Sequence, residues 1–246
     1  MDQPGLSMEE NLRRIASVPL EFAPGTAWGY SVSMDVLGAV IARANGTTLG
    51  DAVRQYVTGP LDMTDTAFAV IDPTRLVVPY ADGPGEPIRM GDPQAVARPE
   101  DPGTYLIFSP ARVFDERSFQ SGGAGLNGTT ADYTRFMEAL RSGGGPILKP
   151  ETVAMASQNQ IGRLPRDPKD AGLRNSFFSG MVDDPAAAGT PQSAGTLTFG
   201  GAWGNSGFLD RARGLSVVTL TNTAVEGVSG TFPTTIRDAI YGALNA

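Results

Sequence analysis

Two stretches near the N-terminus repeat apolar residues at the spacing of an α-helix. In residues 9–17 the apolar residues share one face, and Pro19 ends the pattern. In the second stretch Ser33 is suited to cap the start of a helix, and Asn45-Gly46 is suited to end it. The apolar stripe of this second helix consists of Val36, Leu37, Val40, Ile41 and Ala44.

Four later segments also predict helices. Two short ones cover residues 49–57 and 149–158. Thr129 or Thr130 begins a longer one, whose buried face would be Tyr133, Phe136, Met137 and Leu140. Thr234 or Thr235 would cap the last one, whose apolar face is Ile236, Ala239, Ile240, Ala243 and Leu244.

The C-terminal third changes to the period of a β-strand. Residues 196–203, 206–209 and 215–221 predict three consecutive antiparallel strands with glycine-containing turns between them. Residues 59–70 predict a turn and a short strand, and proline and glycine make residues 72–110 loop-rich and irregular. The pattern predicts an α+β fold in one domain, residues 1–246, with a mostly helical, loop-rich part (1–195) and a part with strands and a final helix (196–246).

The charge and the length of the apolar runs limit the kinds of partner that this chain can bind. The 246 residues carry 26 acidic and 19 basic side chains, and no Lys/Arg cluster suits a phosphate backbone, so nucleic acid is excluded. No apolar run approaches the ~20 residues that cross a bilayer, so no membrane association is expected. The N-terminus lacks the layout of a signal peptide, which makes the expected compartment cytoplasmic.

The chain contains no cysteine and no histidine. A zinc site of the usual kind, a cysteine nucleophile and a Ser-His-Asp triad are therefore excluded, and neither a metal nor another cofactor is expected. If the chain takes part in acyl transfer, its base must be a tyrosine, a lysine or a carboxylate.

Three blocks of the sequence carry recognisable motifs: EFAPGTAWGYSVSMDVLGAVIARANGTTLGDAVRQYVTGPLDMTDTAF, SGGAGLNGTTADYTRFMEAL and FGGAWGNSGFLDRARGLSVVTLTN. These blocks resemble the serine β-lactamase-like hydrolases, in particular the class C and family VIII esterase branch. The resemblance implies a β-lactamase/transpeptidase-like fold, in which helices flank an antiparallel sheet beside a helical lobe. It also implies an acyl-serine mechanism, with the serine from an S-x-x-K motif and a tyrosine from Y-x-N or Y-S-x.

Within this resemblance Tyr30 matches the Y-S-x tyrosine and would act in the base that activates the serine. A positive charge beside a phenol favours its phenolate form, which is the role the motif lysine would have. Val32 stands where Y-x-N has asparagine, so an amide that holds a β-lactam substrate is missing. Esterase chemistry fits this departure better than β-lactam hydrolysis.

Phe199, Gly200 and Gly201 match the K-T-G or W-G-G element of the family, with Phe199 in place of lysine. Glycines there let a substrate lie along the strand, and the N–H of Ala202 would be one of two oxyanion donors. A plain glycine-kinked strand is the alternative. Without the lysine, no fixed positive charge remains at this element to bind a penicillin carboxylate.

Trp28, Phe119 and Trp203 could line an acyl pocket, although large aromatic residues are more often core. The glycine-rich stretch from Ser121 lacks the G-K-[ST] ending of a phosphate-binding loop and is better explained as a turn. Asp183-Asp184 suits a solvated loop better than a catalytic carboxylate pair.

The S-x-x-K motif is absent from the 246 residues, whose two lysines are Lys149 and Lys169. We therefore expect that the two N-terminal strands and the nucleophile helix of the family precede this chain or come from a second chain or fragment. Three readings follow: the C-terminal portion of a serine esterase that acts on a small-molecule ester or amide, a non-catalytic binding protein, or a β-lactamase or D-amino-peptidase. In the family the final strand pairs with the first N-terminal strand. Residues 215–221 should thus pair with another polypeptide or form an exposed edge.

Overall fold

The computed structural model describes residues 5–82, 85–98, 101–166 and 170–244. The chain divides into two compact units. The first contains Met1–Ala23 and Tyr30–Tyr133, and the second contains Pro24–Gly29 and Thr134–Ala246.

The first unit is built from short helices and two small hairpins. Its helices are α1 (Met8–Ala16), α2 (Ser33–Asn45) and α3 (Leu49–Val53), which continues into one π-helical turn (Arg54–Thr58), with 3-10 turns at Pro73–Arg75 and Pro110–Phe114. The antiparallel hairpins pair β1 (Tyr80–Ala81) with β2 (Ile88–Arg89), and β3 (Gln94–Ala97) with β4 (Tyr105–Phe108). The buried core of this unit includes Leu49, Met63, Val96, Phe108 and Phe119.

The second unit contains a five-stranded sheet and the remaining helices. The division between the units falls within α4 (Thr130–Arg141), which is followed by α5 (Pro150–Ala156). The strands are β5 (Leu173–Asn175), β6 (Gly180–Val182), β7 (Leu197–Gly200), β8 (Asn205–Asp210) and β9 (Leu215–Leu220), and the chain ends with α6 (Glu226–Ser229) and α7 (Phe232–Leu244). Within the described ranges, no helix combines the length and the apolar composition that crossing a bilayer requires.

The five strands follow one another in the sheet in chain order, and every neighbouring pair is antiparallel. Leu197 on β7 pairs with Leu209 on β8, and both side chains are fully buried. On the other face Phe208 packs against Tyr241 of α7, with 5.8 Å between the ring centroids. Alternate residues of β8 therefore pack on opposite faces of the sheet.

The three predicted strands are confirmed as consecutive and antiparallel, although their bounds differ from the prediction. The first strand ends at Gly200 rather than at 203, because a tight turn begins at Gly201. Two strands that were not predicted, β5 and β6, are only three residues long, so they offer no alternation to detect. Residues 72–110 also contain the two hairpins, rather than irregular loop throughout.

Two helix starts differ from the prediction. Val32, not Ser33, occupies the N-cap position of α2, and no side chain caps that end. The last helix begins at Phe232, and the hydroxyls of Thr234 and Thr235 bond back to the carbonyl of Thr231 instead of capping the helix. A threonine hydroxyl in a first helical turn can satisfy a preceding carbonyl as readily as it can cap.

The apolar stripe of α2 points mostly to solvent. Val36, Leu37 and Val40 are 38%, 49% and 57% exposed, whereas the buried residues of this helix are Asp35 and Gly38. The helix packs through its small face because a Cβ on Gly38 would lie 2.9 Å from the Leu49 side chain and 3.2 Å from Gly122 N. Hydrophobic periodicity located the helix but not the face that it buries.

A buried carboxylate joins α7 to the β8–β9 hairpin. The fully buried Asp210 accepts hydrogen bonds from the Tyr241 hydroxyl, from Ser193 N (3.0 Å) and from Arg213 N (3.0 Å). Burial raises the pKa of Asp210, but these donors outweigh it and hold that pKa below its usual range. Burial and the neighbouring carboxylate raise the pKa of Tyr241 well above its usual value.

These two shifts predict a plateau of stability bounded on both sides. Asp210 has a depressed folded-state pKa, so its contribution is complete above the unfolded pKa of about 3.9 and is lost as pH falls through the folded value. Tyr241 has a raised pKa, so its contribution is complete below about pH 10 and is lost above it. Thermal unfolding followed from pH 2 to 11 should show both declines, and Tyr241→Phe should weaken the alkaline one. An alkaline limb identical in the variant would contradict the assignment.

Strand β9 lies at one end of the sheet order, and within the described residues its only strand partner is β8. Its apolar residues Leu215, Val217, Val218 and Leu220 come without a lysine or proline to protect the edge. We expect the 246-residue chain to self-associate through this edge. Sedimentation velocity should show that Leu220→Lys reduces association, because Leu220 is 44% exposed and tolerates a charge.

The matched control is Leu244→Lys, at a 53% exposed position on α7. Amide hydrogen exchange tests the prediction further. If the chain is monomeric and the β9 amides exchange slowly on both sides of the strand, the edge is already covered and the predicted self-association is wrong.

Candidate active site

Tyr30 lies in the first unit, three residues before α2, and is 85% exposed. Its hydroxyl forms no hydrogen bond with any residue that the structure describes. An exposed phenol at the start of a packed helix is unusual for a core aromatic, which argues against the core interpretation. Its catalytic role stays a prediction.

The start of α2 is anchored by a buried polar contact. Asp35 is 2% exposed and accepts hydrogen bonds from the Ser121 hydroxyl and, at 3.5 Å, from the Asn11 side-chain amide. Ser121 Oγ in turn accepts from Gly123 N (3.1 Å) and Ala124 N (3.0 Å). Helix α1, the start of α2 and the loop after Ser121 are therefore held together five residues beyond Tyr30.

The glycine-rich loop is a packing element of this anchor. A Cβ on Gly122 would overlap the carbonyl oxygen of Met34 in the first turn of α2. The loop backbone approaches the helix so closely that only glycine fits there. This packing explains the glycines without a bound anion. The turn interpretation of this stretch agrees with these contacts.

In the second unit, the predicted site residues lie at the end of β7 and in its turn to β8. Phe199 pairs with Gly207 and Gly200 with Ser206 across the two strands. Gly201 N donates to Asn205 O at 2.9 Å, and Gly204 N donates to Gly201 O at 3.0 Å. Gly204 has a φ of 99°, which closes a three-residue hairpin loop that favours glycine at this position.

The N–H of Ala202 points out of this turn. The carbonyl of Gly201 belongs to the same peptide unit and is directed into the turn, toward Gly204 N. In a planar trans peptide the N–H points the opposite way from the C=O. No residue that the structure describes accepts a hydrogen bond from Ala202 N. A half-buried amide with an unused N–H is the kind of group that can stabilise an oxyanion.

The three aromatic candidates occupy different surroundings. Phe119 is 5% exposed, beneath the Arg112 guanidinium at 4.6 Å, and its carbonyl accepts from Arg112 Nη2 at 2.7 Å. This is a core position of the first unit. Trp28 and Trp203 are half-buried in the second unit, and Trp203 is part of the β7–β8 turn. With the Asn175 amide oriented to satisfy both its atoms, Trp28 Nε1 donates to it at 3.2 Å.

Carboxylates elsewhere have structural partners. Asp184 Oδ1 accepts from Ala186 N (3.0 Å) and Ala187 N (3.1 Å), as expected for a loop residue, and Asp183 lies 4.0 Å from Arg174 Nε. In the part of the chain that the structure describes, no three His, Cys, Asp or Glu side chains are grouped to hold a metal ion. Lys169 lies outside the described residues.

The residues that support the predicted site residues carry no recognisable sequence motif. The contact between Asp35 and Ser121 joins positions 86 residues apart, and no local pattern reveals it. The segment Val225–Gly227, which contacts the β7–β8 turn, was also missed. The one available signal was a glycine next to an acidic residue in a non-repeating stretch, which is too weak to identify a site.

The protein-family model described as Beta-lactamase matches residues 1–240. Esterase EstB from Burkholderia gladioli is 47% identical over 241 residues, which are 98% of this chain and 61% of that protein. The solved structure described as EstCE1, a hydrolase with promiscuous acyltransferase activity, is 37% identical in sequence and superposes with a TM-score of 0.89. The match covers 98% of this chain and 63% of that chain.

A penicillin binding protein from Bacillus halodurans is 15% identical with a TM-score of 0.66, over 99% of this chain and 65% of that protein. At this identity the likeness concerns the fold. The α+β arrangement, with helices around an antiparallel sheet, is the β-lactamase/transpeptidase-like fold that the sequence predicted. The chain spans 61% and 63% of the lengths of EstB and EstCE1.

Proposed function

This chain belongs to the beta-lactamase family, and from that premise we propose that it is part of a serine carboxylesterase acting on short acyl or aryl esters. The observation that carries the proposal is the 47% identity to an esterase over 98% of the chain. The free N–H of Ala202, in the turn after the strand that matches the family's K-T-G element, supports it.

The proposed reaction has two steps. A serine Oγ attacks the ester carbonyl carbon and passes its proton to the base, and the negative charge that develops on the carbonyl oxygen is stabilised by Ala202 N–H. The bond to the alcohol breaks, and the alcohol leaves with the proton from the base. Water then attacks the acyl-serine in the same way, which releases the carboxylic acid and restores the serine.

Tyr30 is proposed to form part of the base that takes up the serine proton. The departures from the family pattern favour esters over β-lactams. Phe199 supplies no positive charge for a substrate carboxylate, and Val32 supplies no amide for the substrate. A neutral ester needs neither group.

The proposal places the nucleophile outside these 246 residues, because no S-x-x-K motif occurs within them. A fluorophosphonate probe tests this directly. We expect no labelled serine in the chain alone, and labelling once a segment carrying S-x-x-K is supplied, either fused upstream or added as a fragment. A labelled serine within the chain alone would contradict the placement, and no labelling in the completed protein would contradict the esterase.

Acyl transfer to an alcohol is a second candidate, favoured by the similarity to EstCE1, which is described as having promiscuous acyltransferase activity. The same acyl-serine would then be attacked by an alcohol instead of water. With a vinyl ester substrate and increasing 1-butanol, the fraction of butyl ester among the products should rise at an unchanged rate of acylation. Carboxylic acid as the sole product at every alcohol concentration would exclude this activity.

A further inference from the structure

The segment that follows β9 packs against the back of the β7–β8 turn. Gly227 lies so close to this turn that a Cβ on it would overlap Asn205 O and lie 2.6 Å from Gly201 O. A Cβ on Gly200 would in turn lie 2.6 Å from Gly227 O. The two backbones therefore touch directly, with no side chain between them.

Both peptide units that flank Ala202 are held by this arrangement. In the peptide group before Ala202, Gly201 O accepts a hydrogen bond from Gly204 N at 3.0 Å and lies against Gly227. In the peptide group after it, Ala202 O accepts a hydrogen bond from Val225 N at 2.7 Å. With both oxygens fixed, rotation of the Ala202 N–H requires that one of these contacts breaks.

The anchoring segment has a backbone conformation that is costly for its residue type. Val225 is 5% exposed and has a φ of 58° and a ψ of −11°, in the left-handed region that β-branched residues rarely adopt. Strain of this kind persists where surrounding contacts over-determine the backbone, and it concentrates at functional sites. Here the left-handed turn directs Val225 N toward Ala202 O and brings Gly227 against Gly201.

We infer that Val225–Gly227 is a positioning element that fixes the direction of the Ala202 N–H as an oxyanion donor. Val225 and Gly227 act through the β7–β8 turn and do not touch the substrate. The inference rests on the proposed esterase function and adds to it the residues that pre-organise one oxyanion donor. A preorganised donor needs no reorientation when negative charge develops on the substrate.

The test is Gly227→Ala in the completed enzyme, with Gly242→Ala as the matched control, because a Cβ on Gly242 meets nothing within 4 Å. Displacing a donor by a fraction of an ångström affects the transition state more than substrate binding. We expect Gly227→Ala to lower kcat for p-nitrophenyl acetate at least ~10-fold with KM within about 2-fold, and Gly242→Ala to leave both unchanged. Unchanged kcat in a folded Gly227→Ala protein would overturn the positioning role.

Amide hydrogen exchange provides a second measurement that needs neither activity nor a folded variant. In the unsubstituted protein the amides of Gly204 and Val225 should exchange slowly and that of Ala202 rapidly. Rapid exchange at Gly204 and Val225, or protection of Ala202 without ligand, would overturn the inferred geometry. An inactive completed enzyme with the expected exchange pattern would instead overturn the esterase proposal, and with it the catalytic consequence of this geometry.

Discussion

Replacing Tyr30 by phenylalanine in the completed enzyme is expected to lower kcat/KM for short esters by about 100-fold or more. The change removes one hydroxyl that is exposed and has no hydrogen-bond partner within the described residues, so it should not affect folding. The loss should lie in acylation, because this is the step in which the serine proton must be taken up. Stopped-flow measurement of the first burst of p-nitrophenol reports this step separately from hydrolysis of the acyl-serine.

Tyr105→Phe is the matched control, since Tyr105 is also a solvent-exposed tyrosine of the first unit at 61% exposure. It should leave kcat/KM unchanged. An acylation rate for Tyr30→Phe equal to that of the parent would assign the base to another residue.

Replacing Asp210 by alanine is expected to destabilise the fold by about 3 to 5 kcal/mol. The change leaves three donors without their acceptor: the buried Tyr241 hydroxyl and the part-buried backbone N–H groups of Ser193 and Arg213. Each buried donor that loses its partner costs about 1 to 3 kcal/mol, and the wild-type bonds to a charged acceptor are stronger than neutral ones. Urea denaturation monitored by fluorescence and circular dichroism provides the free energy of unfolding.

Tyr241→Phe separates the donors. It removes one hydrogen bond and leaves Asp210 with two backbone donors, so it should cost about 1 to 2 kcal/mol. Asp238→Ala serves as the surface control, because its carboxylate is 58% exposed and its bond is to the neighbouring Arg237. If Asp210→Ala costs no more than Tyr241→Phe, the backbone donors must find other acceptors, and Asp210 is not the anchor of this hairpin.

The sequence predicted the elements whose side chains repeat over several turns or pleats. Strands β8 and β9 are six residues long each, and α2 is 13 residues long, so their periods are evident. The three-residue strands β5 and β6 depend on pairing with neighbours, and nothing local specifies them. The buried face of α2 was unpredictable for a related reason, since it is decided by the close approach of Gly122, a residue 84 positions beyond Gly38.

The candidate site divides in the same way. The motif positions Tyr30 and Phe199 to Ala202 could be found because each is a short contiguous string. The residues that hold them could not, because they act through contacts between distant backbone groups. Val225 illustrates this, since its left-handed conformation runs against the preference of valine and arises from the tertiary contacts around it.

The outward-facing valine and leucine side chains of α2 have a consequence for the amount of this polypeptide in a cell. Val36, Leu37 and Val40 form a small apolar surface of the kind that chaperones and quality-control proteases bind. A copy in which this surface stays uncovered is therefore expected to be degraded sooner than a copy in which another segment or protein shields it. The amount of the chain in the cell would then depend on how much of the shielding segment or protein is produced with it. It would not depend on how tightly the chain's own core is packed.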